Sequence, residues 1–572
     1  MNNRYNTYPA LATLRLPVSG SQSLISFCLA VFTTVACLST TAAERRIPES
    51  TQQLKQEAFA VVNANADYMG RLSDAIYSFA EIGFQEYKTI ALVEKTLSAA
   101  GFAVQTGVAE MPTAYMATYG SGEPVIGLMS DFDGVPGTSQ NPVALSHEPL
   151  VQGAPGHGEG HNTHQPTLIG AALAFKEIKD SYEIPGTLVV YGGPAEELLA
   201  SRGYMVKAGL FEGVDAVLDV HVGTEFGTSY GLNNFANATA QWQFNGRQAH
   251  GARPYQGRSA LDGVTLMSVG VNLMREHGYV PEDARIHYVI TDGGTQPNVV
   301  PGEATVWYYI RAKSPEIVQE LLDWTSDIAE GAALASRTSV SRRIMSGSWP
   351  VNGNRELAEL LHENIEQVGM PEWSEEDIAF ARAYQTSMGA EVVGLPTQVS
   401  PLEVASQGSS TSDAGDISWN VLYVRMYIPA KPEGALAGHH WSAGIGPATP
   451  VAHKGIAVGS KALVASILDM MTDDAALAAI AEDFQQQLSR WPAWSSLIPD
   501  GAMPPTHLNV DEMARYRESL SAFEFDPDSE SDYLDFLGLT YPPATPSSAI
   551  GRASNEVPSA PAESSIDWEW TP

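Results

Sequence analysis

Three short apolar runs, at residues 125–129, 188–191 and 216–220, constrain the fold of this chain more than any other feature. Each has the length of a buried β-strand and is bounded by turn-forming residues. Residues 167–180, between the first two runs, are rich in Ala and Leu and predict a helix. A strand, a helix and a strand in that order are typical of an α/β sheet with parallel members. Residues 422–427 predict a further core strand.

A different pattern begins near residue 238. Residues 239–244 alternate polar and apolar side chains, which is typical of a half-exposed strand. Helices are predicted over 259–277 and 315–334, with strands near 286–290 and 305–311 between them. This order predicts a small α+β domain that is inserted into the first domain.

The sequence therefore predicts five segments. They are a signal peptide at 1–43, an α/β domain at 44–237 and 349–508, an inserted domain at 238–348, and a C-terminal extension at 509–572. The extension is rich in Pro, Ser, Ala and Glu from about residue 541, a composition that predicts disorder there.

The first 43 residues have the order of a secretory signal. Arg4 and Arg15 precede the apolar run at 24–32, and small residues follow at 41–43. A secreted or periplasmic location is expected, with an uncleaved N-terminal anchor as the alternative. The only cysteines, Cys28 and Cys37, lie in this segment, so the mature chain would contain no thiol for disulfide or metal chemistry.

The charge of the chain excludes two classes of partner. Its 66 acidic and 32 basic residues give a formal net charge of −34, and such a field repels nucleic acid and anionic membranes. We therefore expect neither as a main partner. A well-solvated acidic surface explains this charge, and a preference for cationic substrates is the alternative.

Metal-ligating residue types gather directly after the predicted strands. Glu159 and His161 stand between glycines, which allow a loop to bend while the side chains converge. Glu196 and Glu197 follow the second apolar run, and His221 follows the third. Ligand crevices of open α/β sheets lie at strand carboxyl ends, and divalent metals such as zinc take these N and O donors. One of two adjacent carboxylates can bind metal while its neighbour acts as a general base.

With these motifs the chain resembles the family of dimetal aminoacylases and carboxypeptidases, within its amidohydrolase subfamily. The resemblance covers roughly residues 55–508 and is carried by the motifs at 77–84, 131–136, 156–162, 194–197, 249–254, 297–301, 409–416, 438–441 and 452–455. It implies a zinc-peptidase-like α/β catalytic domain with a central mixed sheet flanked by helices. The inserted α+β domain would be ferredoxin-like and serve as a lid or in dimerisation, so a homodimer is expected.

The resemblance also implies roles for individual residues. Two divalent ions per subunit are expected, with zinc first and manganese or cobalt as alternatives. The implied ligands are Glu159, His161, Glu197, His221 and His439, with His440 and His453 as alternatives for the last. Glu196 takes the place of the general base, and Asp133 takes that of a carboxylate that orients a ligand. His250 and Asn298 would bind substrate and stabilise the oxyanion, the histidine reaching across a dimer.

Two arginines are candidates for substrate recognition. Arg253 and Arg311 could each bind a substrate carboxylate, since arginine suits bidentate recognition, or could serve in structural ion pairs. Relatives carry cysteine at the position of Glu159, so this site has either a harder ligand set or altered metal affinity. The expected activity is hydrolysis of N-acyl amino acids, aminobenzoyl-glutamate-like amides or small peptides by metal-activated water. A dipeptidase or carboxypeptidase, or a non-catalytic binding protein with the same fold, is the alternative.

Overall fold

The computed structural model describes residues 50–278 and 283–543. The expected signal peptide at 1–43 lies outside the described residues, as does the expected disordered tail from 544 onward. The strands are β1 (Ala103–Thr106), β2 (Tyr115–Gly120), β3 (Val125–Ser130), β4 (Thr187–Gly192), β5 (Ala216–Gly223), β6 (Gly227–Leu232), β7 (Ala236–Asn245), β8 (Ala249–His250), β9 (Ala284–Asp292), β10 (Val299–Val300), β11 (Glu303–Ala312), β12 (Ser339–Ser348), β13 (Asn352–Gly353), β14 (Glu403–Val404) and β15 (Leu422–Pro429).

The α-helices alternate with these strands along the chain. They are α1 (Thr51–Phe79), α2 (Tyr87–Ala99), α3 (His164–Ser181), α4 (Arg202–Lys207), α5 (Ala260–His277), α6 (Pro315–Ser336), α7 (Arg355–Val368), α8 (Glu375–Met388), α9 (Gly415–Ser418), α10 (Pro450–Thr472), α11 (Asp474–Leu488), α12 (Val510–Leu520) and α13 (Tyr533–Phe536). Serine caps begin several of them: the side chain of Ser50 accepts from the amide of Gln53, and Ser374 forms a capping box with Asp377.

The larger sheet has nine strands, eight of them in the order β1-β2-β4-β3-β5-β15-β6-β13, and β14 pairs with β6. The four central strands β4, β3, β5 and β15 are parallel, whereas β1, β2, β6 and β13 pair antiparallel. The predicted mixed α/β sheet is therefore confirmed. Because the central strands are parallel, their carboxyl ends meet at one edge of the sheet, and the segments that follow them are brought together there.

Long helices cover the larger sheet and complete its core. Helices α1, α3 and α10 pack against one another, and α10 also packs on β15. Among residues 50–278 and 283–543, only α10 has the length and hydropathy of a membrane span, and 78% of that stretch is buried inside the protein. Its apolar character is therefore explained by its place in the core.

The smaller sheet has four antiparallel strands in the order β12-β7-β11-β9. Trp242 and Phe244 of β7 and Tyr308 of β11 are buried against α5 and α6, which both cover the same core. The predicted order of two helices and three strands is present, and β12 is a fourth strand that the sequence did not predict. The domain limits at 238 and 348 stay predictions.

The start of the C-terminal extension is folded. Helices α12 and α13 follow residue 509, and Arg517 of α12 donates to the carboxylate of Glu81 at 3.0 Å. Tyr533 of α13 is fully buried beside Tyr77 of α1, with ring centroids 6.2 Å apart. These contacts attach the extension to α1 and to the loop between α1 and α2.

Candidate metal centre

A cavity of about 330 Å³ opens at the carboxyl edge of the parallel strands. Its lining is mostly polar and comes from several parts of the larger sheet and from β11. The lining residues are Glu159, His161, Glu196, Glu197, His221, Asn233, Asn234, Arg311, Ser410, Thr411, Ser412, Arg425, Tyr427 and His439. All five predicted metal ligands and the predicted base therefore lie around one cavity.

The glycines of the 156–162 loop let its donors approach the strand ends. Gly160 has a φ of 100°, and a Cβ there would lie 3.1 Å from the side chain of Val222 at the end of β5. His161 follows in a 3-10 turn that leads into α3. Lys431, in the loop after β15, donates to the carbonyl of Glu159 at 2.9 Å and fixes that part of the loop.

Glu196 and Glu197 stand in a tight turn after β4. Ala195 and Leu199 flank this turn, and both have φ values of 55°, in the left-handed region that non-glycine residues seldom adopt. The carboxylate of Asp133 accepts from the amide of Glu196 at 3.2 Å and from the amide of Glu197 at 3.1 Å. Asp133 thus holds the backbone of the two acidic residues, and its role in orienting a metal ligand stays a prediction.

The imidazoles meet the carboxylates inside the cavity. His439 Nε2 lies 2.9 Å from Glu197 Oε2 and 3.4 Å from Glu159 Oε1. His161 Nε2 lies 4.0 Å from Glu197 Oε1, and the ring centroids of His161 and His221 are 5.3 Å apart. The five donors therefore surround a common space.

The electrostatics of this space favour a cation. Burial and the charges of Asp131, Asp413 and Glu197 raise the pKa of Glu196 well above its usual range. Burial lowers the pKa of His161, but the surrounding carboxylates outweigh it, and the pKa stands well above its usual range. Buried carboxylates repel one another unless a proton or a cation intervenes. A divalent ion can take the place of that proton.

Buried side-chain atoms without hydrogen bonds, and the chemistry of the imidazole and carboxylate donors, also support a metal ion in this cavity. His161 Nδ1 and Glu197 Oε1 are buried and make no hydrogen bond in the described part of the chain. Ligand atoms of Asp131, His161 and Glu196 all lie within 4.8 Å of one another, close enough to hold an ion. Imidazole and carboxylate donors suit zinc and manganese alike. A divalent metal ion therefore fits the residues present.

The group of Asp131, His161 and Glu196 differs from the predicted ligand set, because Asp131 is not one of the predicted ligands. Asp131 already forms polar contacts with other side chains. His164 Nδ1 lies 2.6 Å from Asp131 Oδ1, and Arg202 forms an ion pair with Oδ2. Arg202 also pairs with Asp413 at 3.1 Å, and the guanidinium is fully buried. We therefore regard Asp131 as a support for the adjoining loops. The position of Asp131 after β3 was a signal for a role near the site, whereas nothing in the sequence marked Arg202.

The remaining predicted residues lie in different places. Arg311 of β11 lines the cavity, and its Nε makes no hydrogen bond in the described residues. His250, Arg253 and Asn298 are exposed in and near the β8–β10 pair and are not part of the cavity lining. The alternatives to His439 also lie outside this lining: His440 contacts Ser442, and His453 forms an ion pair with Asp74. The roles of His250, Arg253 and Asn298 stay predictions.

Sequence comparison connects this site to known hydrolases. Residues 127–401 match the model of Peptidase family M20/M25/M40. The chain is 32% identical over 462 residues to a subunit of the p-aminobenzoyl-glutamate hydrolase of Escherichia coli (strain K12), covering 76% of this chain and 95% of that protein. It is 28% identical over 344 residues to Xaa-Arg dipeptidase of Mus musculus, covering 59% and 76%.

Structural comparison gives the same fold. A solved structure of an aminohydrolase from methicillin resistant Staphylococcus aureus superimposes with a TM-score of 0.53 at 17% identity, covering 73% of this chain and all of that one. The expected resemblance is thus confirmed by sequence and fold together. The chain belongs to Peptidase family M20/M25/M40 and is a metal-dependent hydrolase of amide bonds.

Proposed function

We propose that this protein uses two divalent ions to hydrolyse the amide bond of an N-acylated amino acid or a closely related amide that carries a free carboxylate. The observation that carries the proposal is the convergence of the donors Glu159, His161, Glu197, His221 and His439 around one cavity that also contains Glu196 and Arg311. Acid, imidazole and guanidinium groups at this spacing supply a metal cage, a base and an anchor for a carboxylate.

The five donors would hold the ions, with Glu197 between the two groups of ligands. Glu197 Oε1 faces His161 and Oε2 faces His439, so this carboxylate adjoins both groups of donors. When bound, divalent ions lower the pKa of water and polarise the amide carbonyl. Zinc is proposed first, with manganese or cobalt as alternatives, and the carboxylate of Glu159 would favour manganese.

Glu196 would take up the proton and return it. Its side chain lines the cavity and is buried. The raised pKa of Glu196 makes the carboxylate a stronger base than a solvated one. In the proposed reaction Glu196 accepts a proton from the attacking water and later donates it to the leaving amine. Because Asp133 holds the backbone of Glu196 and Glu197, the two carboxylates keep separate roles.

Arg311 would select substrates by their carboxylate. Burial lowers the pKa of the Arg311 guanidinium below its usual value, although the negative charges of Glu196 and Glu197 in the same cavity act to raise it. Its Nε has no hydrogen-bond partner in the described residues, so its planar donors stand available to a bidentate acceptor. The similar p-aminobenzoyl-glutamate hydrolase is named for an amide of glutamate, which has such carboxylates. Small N-acyl amino acids and dipeptides meet the same requirement.

We also propose that the protein acts as a homodimer after export. Leu266, Val269 and Leu273 form an exposed apolar stripe along α5, and Val289 and Ile290 are exposed on the edge strand β9. In the described residues, β9 pairs with β11 on one side only. An apolar helix stripe beside such a sheet edge is a surface that a second copy can cover. Export to the periplasm or beyond is supported by the signal pattern of residues 1–43.

The test is hydrolysis of a panel of N-acyl amino acids and dipeptides by protein loaded with zinc, manganese or cobalt. Glu196→Gln is expected to keep its fold and metal content and to lower kcat by at least about 100-fold, the contribution typical of general acid–base catalysis. Glu212→Gln, on the exposed surface, is the matched control and should act like the wild type. Wild-type turnover by Glu196→Gln, or a wild-type protein without bound metal or activity, would contradict the proposal.

A further inference from the structure

The turn that carries Glu196 and Glu197 is held by a second buried carboxylate that has no place in the predicted site. Glu86 Oε1 accepts from the amide of Ala195 at 2.8 Å, directly before the two amides that donate to Asp133. Three consecutive backbone amides are therefore bound by two acidic side chains. Such a series of contacts fixes the direction in which the following side chains leave the backbone.

The turn needs this support because its backbone is strained. Ala195 and Leu199, at its two ends, both have a φ of 55°. An L-residue with a Cβ is sterically disfavoured in the left-handed region. Such a conformation persists only where surrounding contacts enforce it. Without an acceptor for the Ala195 amide, the turn can relax and rotate the carboxylate of Glu196 away from the cavity.

Glu86 itself is rigidly placed. The side chain is fully buried, and Thr113 Oγ1 donates to its second oxygen at 2.8 Å. The loop before it packs directly on the turn, since a Cβ at Gly83 would lie 2.9 Å from the Cα of Ala195. Burial and the charge of Asp133 raise the pKa of Glu86 well above its usual range.

Keeping a carboxyl group at this place is costly for the fold. In the described residues no basic side chain pairs with Glu86, and burying a polar group with few partners is unfavourable. An apolar residue of similar volume would avoid that cost. Glu86 also provides no side-chain cap for α2, although it precedes that helix. In the described residues its side chain accepts hydrogen bonds from Thr113 and from the amide of Ala195.

We propose that Glu86 is a positioning residue for amide hydrolysis, because it fixes the Ala195 amide and thereby aims the Glu196 carboxylate into the cavity. The inference rests on the proposed role of Glu196 as the base. Glu86 is not among the residues that line the cavity, and it acts on the turn through its hydrogen bond from the Ala195 amide. Its loss should therefore affect the rate of the chemical step and leave the binding of substrate and metal unchanged.

The experiment compares Glu86→Met and Glu86→Gln in the full-length, metal-loaded protein. The Met side chain fills the space but accepts no hydrogen bond, so kcat should fall by about 100-fold, the effect typical of a small misplacement of a catalytic group. KM and the metal content measured by elemental analysis should stay at wild-type values. The Gln carbonyl still accepts from Ala195, and its amide can donate to Thr113, so Glu86→Gln should keep a nearly wild-type kcat.

Glu81→Met is the control for a purely structural effect. Glu81 is also buried and accepts from the amides of Lys88 and Thr89, but it does not contact the turn. The Glu81→Met variant should have a lower melting temperature than the wild type but an unchanged kcat of the folded enzyme. The inference is overturned if Glu86→Met keeps wild-type kcat, or if Glu81→Met loses kcat to the same degree.

The two proposals can fail separately. If Glu196→Gln is inactive while Glu86→Met turns over at the wild-type rate, only the positioning role is wrong. If Glu196→Gln itself is active, the proposed base is wrong, and the role of Glu86 is wrong with it. A loss of kcat in Glu86→Gln equal to that in Glu86→Met would also overturn the inference, because the hydrogen bond to Ala195 would then not explain the effect.

Discussion

Asp416 provides a test of how buried charge affects the stability of this protein. Its carboxyl group, in the short helix α9, is fully buried. Oδ1 accepts from the amide of Trp349 at 2.9 Å and from Trp494 Nε1 at 3.2 Å, and Oδ2 has no hydrogen-bond partner in the described residues. Burial, together with the nearby charge of Asp413, raises the pKa of Asp416 to about 7.

The raised pKa fixes the sign and size of the pH dependence. The folded protein holds the proton more tightly than the unfolded chain, so this group's contribution to stability is complete below the ordinary pKa of 3.8 and is lost as the pH rises to about 7. A difference of about 3 pKa units corresponds to about 4 kcal/mol at about 1.4 kcal/mol per unit. Asp416→Asn keeps the neutral form at every pH. Relative to the wild type, it should therefore gain about 4 kcal/mol between pH 4 and pH 8.

Urea denaturation at several pH values, followed by tryptophan fluorescence, measures this difference. Subtracting the wild-type free energy of unfolding from that of Asp416→Asn at each pH removes the contribution of all other titrating groups. Asp327→Asn, on the exposed side of α6, is the control for removal of a carboxylate, and the Asp416→Asn difference should exceed that of this control. The reasoning is refuted if the Asp416→Asn difference changes by less than about 1 kcal/mol over this range.

Three further predictions concern recognition, the buried ion pairs and assembly. Arg311→Met should raise KM by about 10- to 100-fold, since a hydrogen bond to a charged group contributes about 1.5–3 kcal/mol, and the methyl ester of the substrate should show no such change. Arg202→Met should lower the free energy of unfolding by about 3–5 kcal/mol, measured in urea, because the buried charges of Asp131 and Asp413 lose their shared cationic partner. Leu273→Asp should convert the dimer to a monomer in light scattering, and an unchanged mass would contradict the proposed interface.

The fold was largely predictable because its signals are local. The run at 125–129 became β3 and the run at 216–220 became β5, since a buried parallel strand needs an unbroken apolar segment. Strand β12 was missed for the opposite reason. Its first half carries Arg342 and Arg343 and is exposed, and it is a strand because it pairs with β7. That pairing joins positions about a hundred residues apart and leaves no local pattern.

The candidate site was predictable only in part. Residues at strand ends, such as His221, were expected to converge because parallel strands end at one edge. The supports of the site could not be found in this way. Arg202 reaches Asp131 and Asp413 across 71 and 211 positions of the chain, and Glu86 meets Ala195 across 109. A long-range hydrogen bond to a backbone amide depends on the folded backbone and has no residue pattern of its own.

The route of the chain through the sheet has a consequence for biosynthesis. The donors near the cavity begin at Glu159 and end at His439, and the entire four-stranded sheet is made between His221 and β15. A chain that ends inside that sheet has the first four donors but lacks β15 and the last donor, His439. The full set of donors therefore requires the chain to continue through β15 to His439. Fragments that end inside the smaller sheet should consequently bind metal weakly. The metal content of a preparation should then measure its fraction of full-length, correctly folded protein.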